Sequence, residues 1–549
     1  QMMQATQCSL RGSATFIPRS ATFIRECVGT RLISTSSIFS VKLKAACAGL
    51  SCVRVMPSFP NRKVQTVTST DSAWAEQFKR ATVDLASMDI NGISYEESAE
   101  RMRTLLKTGL LKHADLHNNP ERFFLAHRLL ARHAPKLGPG FWIRFTVHYN
   151  LCVGTVLALG SPQQVEDLKG MQERGELGCF SLTEKLAGVN SGLVVNTTAT
   201  WDNAEQAFVL HTPTEGARKN WISQGLVADK TVVVADLRID GKSHGPHAFL
   251  MDLRVGGRVV PGVSHGDMGR KTVGNDLDNA WIAFDRVRLP RTALLNRYAD
   301  VEGGKYVQKV KDIPVFHMIG QRLFSGRVAV AQAALEFRRG LFEGTKAYTD
   351  AKRCWGPVEE PVLSSIPQLK ALYTEAEERM GRVGEFVGKC EAELCAGLRA
   401  GRTPSVELVE AIAVCKVRAV EESIALVHRL RNDVGSYALM AGTGFEQTDF
   451  LVCCKFAEGD SRILMQKMAR DRLRQLAPAL AQGPAAAAAL GATEREAALC
   501  REITAGMAAA AARGANKQQA WDEMWVTVYE LAEEIMDRTV RQFMAAPPP

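Results

Sequence analysis

At 549 residues the chain is too long for one compact core, and its 46% hydrophobic and 23% charged content is that of an ordinary globular protein. The formal net charge of +9 is concentrated at the start: residues 1–70 hold nine basic residues (Arg11, Arg19, Arg25, Arg31, Lys42, Lys44, Arg54, Arg62, Lys63) against one acid, Glu26. The remainder carries 59 basic and 58 acidic residues, a near-neutral balance that gives no support to a polyanion-binding surface on the folded body.

Residues 1–70, Arg-bearing, rich in Ser and Thr and nearly acid-free, have the composition of an organelle transit peptide, with a disordered tail as the alternative. The chain ends Ala-Ala-Pro-Pro-Pro, without a Ser-Lys-Leu type of address, so a mitochondrion is expected first, a plastid second and a peroxisome as a further alternative. No long uncharged apolar run argues for a secretory signal or a transmembrane helix. The thirteen cysteines form no C-x-x-C and no zinc-type cluster with His, so reduced thiols and no metal are expected.

Residues 71–175 read as a helical domain: Trp74, Phe78, Ala81 and Leu85 recur at helical spacing, as do Met102, Leu105 and Leu106. Gly138-Pro139-Gly140 breaks the pattern before the apolar run Phe141 to Leu159. Residues 176–303 change to short β-rich runs. Thr231 to Leu237 and His247 to Leu253 flank the turn signal Asp240-Gly241-Lys242, and Trp281 to Val287 ends the region before Pro290. An inserted antiparallel β-barrel or sandwich is expected there. Residues 304–476 return to long amphipathic helices, carried by Ile319, Leu323, Val330, Ala334, Phe337 and Leu341, then Leu369 to Val387, then Val417 to Leu430 behind Thr403-Pro404, with a fourth after Glu458. Four such helices predict a bundle. Residues 477–492, rich in Ala, Pro and Gly, read as a linker, and 493–549 as a helical extension whose Trp521, Trp525, Val528 and Leu531 stripe reads as a docking face. The fold class expected is mainly α with an inserted β domain.

The most informative carboxylate is Glu458, in Lys455-Phe456-Ala457-Glu458-Gly459-Asp460-Ser461. Gly459 permits a tight turn, Asp460 or Ser461 can cap the following helix, and apolar Phe456 and Ala457 beside the carboxyl suit a tuned pKa. Taken alone, the segment also reads as a surface acid near a helix start.

Helices, a β domain, and a bundle with a Glu-Gly turn before its last helix resemble the acyl-CoA dehydrogenase and oxidase superfamily over roughly residues 75–476. Gly178-Cys179-Phe180-Ser181-Leu182-Thr183-Glu184, followed by Gly188, Asn190 and Thr197 to Thr200, resembles the family's flavin-contacting strand end. Lys219-Asn220-Trp221-Ile222-Ser223 resembles its second flavin segment, and Asp278 to Arg291 continuing to Asp300 is similar to the oxidase branch. Phe456-Ala457-Glu458-Gly459 falls where the family keeps its base.

The resemblance implies α,β-dehydrogenation of acyl-CoA thioesters with FAD as cofactor. Glu458 is then the catalytic base. Thr183, Trp221, Ser223, Arg353, Gly442 and Asp460 are the expected cofactor contacts, and Arg327 and Gly459 the substrate contacts. Arg353 and the Ala441-Gly442-Thr443-Gly444-Phe445 loop would meet one flavin from two subunits, implying at least a homodimer. An oxidase using O2 is expected, with a dehydrogenase using an electron-transfer flavoprotein, and a non-catalytic assembly subunit, as alternatives. The chain departs from the family at Lys185 to Asn190, at Ala441, at Lys352 and at Phe324.

Overall fold

The structure, a computed structural model, describes residues 69–84, 93–188, 191, 194–310 and 322–547. The transit-peptide reading falls, up to residue 68, outside the described residues, as do Leu85, Asn190, Ile319 and the side chain of Leu323.

Helices α1 (Ser69–Thr82), α2 (Tyr95–Thr108) and α3 (Pro120–Arg132) come first. Trp74, Phe78, Met102, Leu105 and Leu106 are buried, the stripe their spacing predicts. Ser94 caps α2 by accepting from the Glu97 amide at 3.1 Å. At the Gly-Pro-Gly break the chain enters α4 (Pro139–Thr146), then a π-helical segment, Val147–Val153, then α5 (Gly154–Leu159). The break is also a docking point, because Asp276 of the β region accepts from the Gly140 amide at 3.0 Å. Helix α6 (Pro162–Arg174) opens on a Ser161/Gln164 capping box and closes at Gly175, φ 70°.

In the β region a six-stranded sheet has the order β1 (Gly178–Ser181), β5 (Lys230–Ile239), β2 (Thr198–Asp202), β3 (Ala207–His211), β11 (Val287–Pro290), with β6 (Lys242–Asp252) on the other side of β5. A three-stranded sheet runs β4 (Lys219–Ser223), β10 (Asn279–Phe284), β9 (Val263–Asp267), and two short pairs join β7 (Arg254–Val255) to β8 (Arg258–Val259) and β12 (Ala299–Glu302) to β13 (Lys305–Gln308). The expected hairpin is there: Asp240 and Gly241 have φ 49° and 75°, the two left-handed residues of a tight β5–β6 turn. The expected β-barrel or sandwich takes the form of an open half-barrel that mixes parallel and antiparallel pairs. β1 and β2 both pair parallel to β5, arriving by long connections rather than hairpins.

The bundle follows as α7 (Arg322–Ala351), α8 (Pro367–Arg399), α9 (Val406–Asp433) and, after the short α10 (Asp449–Phe456), α11 (Ser461–Gln482). Helix α7 packs against α8, α9 and α3. The linker expected at 477–492 is helical: α11 continues to Gln482 and α12 (Pro484–Ala489) fills most of the rest. Alanine is the strongest helix former and Pro484 stands at the first turn, so the composition that looked like a spacer makes helix instead. Helices α13 (Glu494–Ala512), α14 (Lys517–Glu523) and α15 (Trp525–Ala545) complete the chain. Their seam is ionic: fully buried Glu496 accepts from Arg472 Nη2 at 3.0 Å and Arg538 Nε at 2.8 Å, and Arg538 pairs with Glu410 of α9 at 2.9 Å. The tryptophan stripe is split by the break at Met524: Trp521, Val528 and Leu531 are buried in this seam, whereas Trp525 is 61% exposed. Among the described residues no helix is long and apolar enough to cross a membrane.

Candidate active site

The turn between α10 and α11 carries Glu458 and Gly459 with φ of 56° and 96°. Two successive left-handed residues, one bearing a side chain, store about 1–2 kcal/mol of strain. Cations hold them in place. Lys416 on α9 donates to the carbonyls of Lys455 at 2.6 Å and Gly459 at 2.8 Å and to Ser461 Oγ at 3.2 Å. Arg327 on α7 donates from Nε to the Glu458 carbonyl at 3.1 Å. Asp460 is the buried N-cap of α11, as its place before that helix predicts, accepting from the amides of Arg462 at 2.7 Å and Ile463 at 3.4 Å.

The Glu458 side chain is 9% exposed and lies against Gly326 of α7, where a Cβ would fall 2.2 Å from its carboxyl carbon. Oε1 accepts from Asn150 Nδ2 at 3.2 Å, and Asn150 Oδ1 in turn accepts from Ser325 Oγ at 2.6 Å. Oε2 is sealed from solvent and has no hydrogen-bond partner among the described residues. Burial pushes the carboxyl up to about 7, against the opposing pull of Arg327, Asn150 and Lys416. Asn150 belongs to the π-helical segment, a geometry concentrated at functional sites. That segment packs on both α7 and β1, and His148 Nδ1 accepts from the Gly178 amide at 3.1 Å, fixing it to the start of β1.

Beyond β1 comes the second cluster. Glu184 and Lys219 are fully buried partners 3.0 Å apart, and Lys219 also donates to the carbonyls of Leu182 at 3.2 Å and Val234 at 2.7 Å. This clamp fixes the residues on either side of Thr183, whose carbonyl accepts from the Asn220 amide at 2.8 Å and which is itself exposed. Two residues along β4 stands Trp221, 56% exposed with φ 57°, an unusual backbone for a bulky residue. Ser223 Oγ accepts from Asn279 Nδ2 at 3.2 Å. The Glu184–Lys219 pair thus ties the Thr183 segment to β4, the strand that carries Trp221 and Ser223.

Arg353 lies past the end of α7, exposed, donating to the Glu360 carbonyl at 2.9 Å. Tyr348 of α7 stacks on Tyr437 at 3.8 Å between ring centroids, tying that helix end to the segment leading into Gly442. Gly442 has φ 81°, and its loop presents an anion nest, but the amides of Gly442 and Gly444 donate to the two Glu446 oxygens at 2.7 and 3.0 Å. The structure therefore brings Glu458, Gly459, Asp460 and Arg327 together, places Thr183, Trp221 and Ser223 across the π segment and β1, and sets Arg353 and Gly442 at the far end of α7.

Two surface clefts, of about 580 and 710 Å³, lie at the start of α8 and along β6 and β11, and neither is lined by Glu458. Sequence reasoning missed Asn150, Lys416 and the Glu184–Lys219 pair. The signal for Asn150 was a lone amide within the apolar run Phe141 to Leu159.

Compared with protein-family profiles, the chain matches none. Among curated proteins it is 30% identical over 346 residues to the acyl-coenzyme A oxidase-like protein of Mus musculus, covering 61% of this chain and 54% of that one. It is also 30% identical over 354 residues to peroxisomal acyl-coenzyme A oxidase 3 of Homo sapiens, covering 61% and 50%. Both comparisons lead to the acyl-CoA oxidases. The chain spans about half the length of these relatives. In fold it matches acyl-CoA oxidase 3 from Yarrowia lipolytica (TM-score 0.67, 21% identity, 86% of this chain and 75% of that one). It likewise matches acyl-CoA oxidase 2 of Caenorhabditis elegans, solved with FAD, ascaroside-CoA and ATP (TM-score 0.70, 20% identity, 86% and 76%). The fold is that of these acyl-CoA oxidase structures. Relatives from Homo sapiens and Arabidopsis thaliana are named peroxisomal, and the mitochondrial expectation finds no support among them.

Proposed function

We propose that this chain is an FAD-dependent enzyme that dehydrogenates acyl-CoA thioesters between the α and β carbons to the trans-2-enoyl product, with O2 as electron acceptor. The observation that carries the reading is the Glu458 carboxyl: buried, raised to about 7, with one oxygen held by Asn150 and the other without a hydrogen-bond partner among the described residues. A general base is most effective when its pKa lies near the operating pH. FAD, when bound, supplies the acceptor for the β-hydride. Thr183, Trp221 and Ser223 would hold its ring, and their exposed indole and two hydroxyls fit a flat, hydrogen-bonding ring. Arg353 and Gly442 would meet its pyrophosphate across the interface of a homodimer, which requires Glu446 to release the nest amides.

In the chemical step Glu458 takes the α-proton. Its own N–H, taken out of the α10 ladder by the extended backbone of Ala457 (ψ 150°), is the donor proposed for the thioester oxygen, where negative charge develops. Gly459 lets the thioester approach that amide without a side chain in the way. Arg327, anchored on the Glu458 carbonyl, favours the ionised carboxylate and so keeps a fraction of it ready at neutral pH.

Anaerobic mixing of the FAD-loaded chain with butanoyl-, octanoyl- and hexadecanoyl-CoA tests this. Flavin bleaching, peroxide on readmission of O2, and loss of bleaching in Glu458→Gln are expected; no bleaching with any thioester refutes the reading. Bleaching without peroxide would instead favour an electron-transfer flavoprotein as acceptor. A second reading, a non-catalytic subunit, is favoured by one observation, the Glu446 carboxylate seated where a pyrophosphate would bind. A purified chain that retains no flavin would support it. The compartment proposed is the peroxisome, on the names of the relatives, and co-localisation with a peroxisomal marker tests it.

A further inference from the structure

We propose that Asn150 and Ser325 are positioning residues that pin one oxygen of the Glu458 carboxyl, so that the substrate proton is delivered to the other. The proposal rests on the reading of Glu458 as the base. Three elements meet at this carboxyl: the π segment brings Asn150, α7 brings Ser325, Gly326 and Arg327, and the α10–α11 turn brings Glu458 itself. Ser325 Oγ donates to Asn150 Oδ1 at 2.6 Å, which turns the amide so that Nδ2 donates to Glu458 Oε1 at 3.2 Å. An amide N–H can donate but cannot receive, so the oxygen facing it stays an acceptor, and Oε2 is the atom left for a proton.

Sterics close the remaining choice. The carboxyl carbon and Oε1 lie so near Gly326 that a Cβ there would fall 2.2 and 2.4 Å from them, so the planar group has one orientation. The charged groups that act on it are Arg327 from α7 and Lys416 from α9, both anchored on turn carbonyls. Neither hydrogen-bonds a carboxyl oxygen among the described residues, so orientation falls to Asn150. Its donation also favours the ionised form, which sets the pH at which the base becomes available.

The test measures Glu458 titration in two ways. In flavin-free protein, infrared difference spectra against Glu458→Gln follow the carboxyl directly. In FAD-loaded protein, the pH profile of anaerobic flavin reduction is recorded with whichever of the three thioesters bleaches it fastest. Asn150→Leu should move both midpoints up by about one pH unit, the loss of one charge-assisted hydrogen bond. Asn150→Asp, isosteric but acidic, should move them further the same way, and Ser325→Ala should give a smaller upward shift while leaving Asn150 in place. Midpoints unchanged in both Asn150→Leu and Ser325→Ala overturn the proposal, and Ser325→Ala keeps it open to refutation if Asn150→Leu fails to fold. Glu458→Gln reducing flavin as fast as the parent would overturn the base reading instead, even with the infrared shifts present.

Discussion

Replacing Gly326 with alanine sets two effects against each other at one atom. In a helix interior alanine is favoured over glycine by about 1 kcal/mol, so propensity alone predicts a more stable protein. The new Cβ would sit 2.2 Å from Glu458 Cδ, 2.4 Å from Oε1 and 2.6 Å from Asn150 Nδ2. Ordinary carbon contacts lie at about 3.5–4.0 Å, so the carboxyl must retreat by more than an ångström. Overpacking costs about 1–3 kcal/mol, and a buried carboxylate losing its donor costs about 1–3 more. The contacts win, and Gly326→Ala should be less stable by about 2 kcal/mol and slower in flavin reduction by about 100-fold, the scale of a 1 Å misplacement. Gly381 on α8 provides the control, because it is exposed and a Cβ there meets nothing within 4 Å. Urea unfolding should show Gly381→Ala more stable than the parent by about 0.5–1 kcal/mol. If Gly326→Ala unfolds at the same urea concentration as Gly381→Ala and reduces flavin at the parental rate, the geometry assigned to Glu458 is wrong.

Burial raises the Glu458 carboxyl from 4.5 to about 7, so the folded state binds more protons than the unfolded state across that window and stability falls as pH rises through it. At 1.36 kcal/mol per pH unit the loss is about 3 kcal/mol, so Glu458→Gln should match the parent at pH 4 and exceed it by that order at pH 8 in urea titrations. Glu446→Ala should free the Gly442 and Gly444 amides and tighten flavin retention by about 10-fold, read by fluorescence on dilution, whereas weaker retention would deny the loop a phosphate-binding role. Glu496→Ala leaves Arg472 and Arg538 buried without their shared carboxylate and should cost about 3–5 kcal/mol, measured by urea unfolding, with the loss falling on the seam between α11 and the extension.

The helical stripes, the β5–β6 hairpin and the Glu-Gly turn were legible because each is written in neighbouring residues: Phe78 and Met102 in a helical period, Asp240-Gly241 at a turn, Gly459 beside its carboxylate. The half-barrel was not, because parallel pairing of β1 and β2 with β5 depends on long connections that leave no local pattern. Residues 477–492 misled for a different reason: the same alanines serve a spacer or a helix, and Arg472 donating to the Leu490 carbonyl at 3.3 Å helps decide which. In the site, Glu458 stood out by its turn, but its orientation comes from Asn150, 308 positions away in sequence. No spacing rule reaches that far. Asp460 shows the converse, since its role as a cap is local and was legible from its place before the helix.

The seven-residue π segment Val147–Val153 makes length, as well as composition, a constrained property of this stretch. Each residue of an α-helix turns the chain by about 100°, so deleting one here would let α4 and α5 merge into a regular helix and swing one flank relative to the other by that angle. His148 and Asn150 serve opposite neighbours, β1 and Glu458, from within the same turn. A one-residue deletion could satisfy one of them only by abandoning the other. Descendants of this chain can therefore exchange side chains between Phe141 and Leu159 far more readily than they can change how many there are.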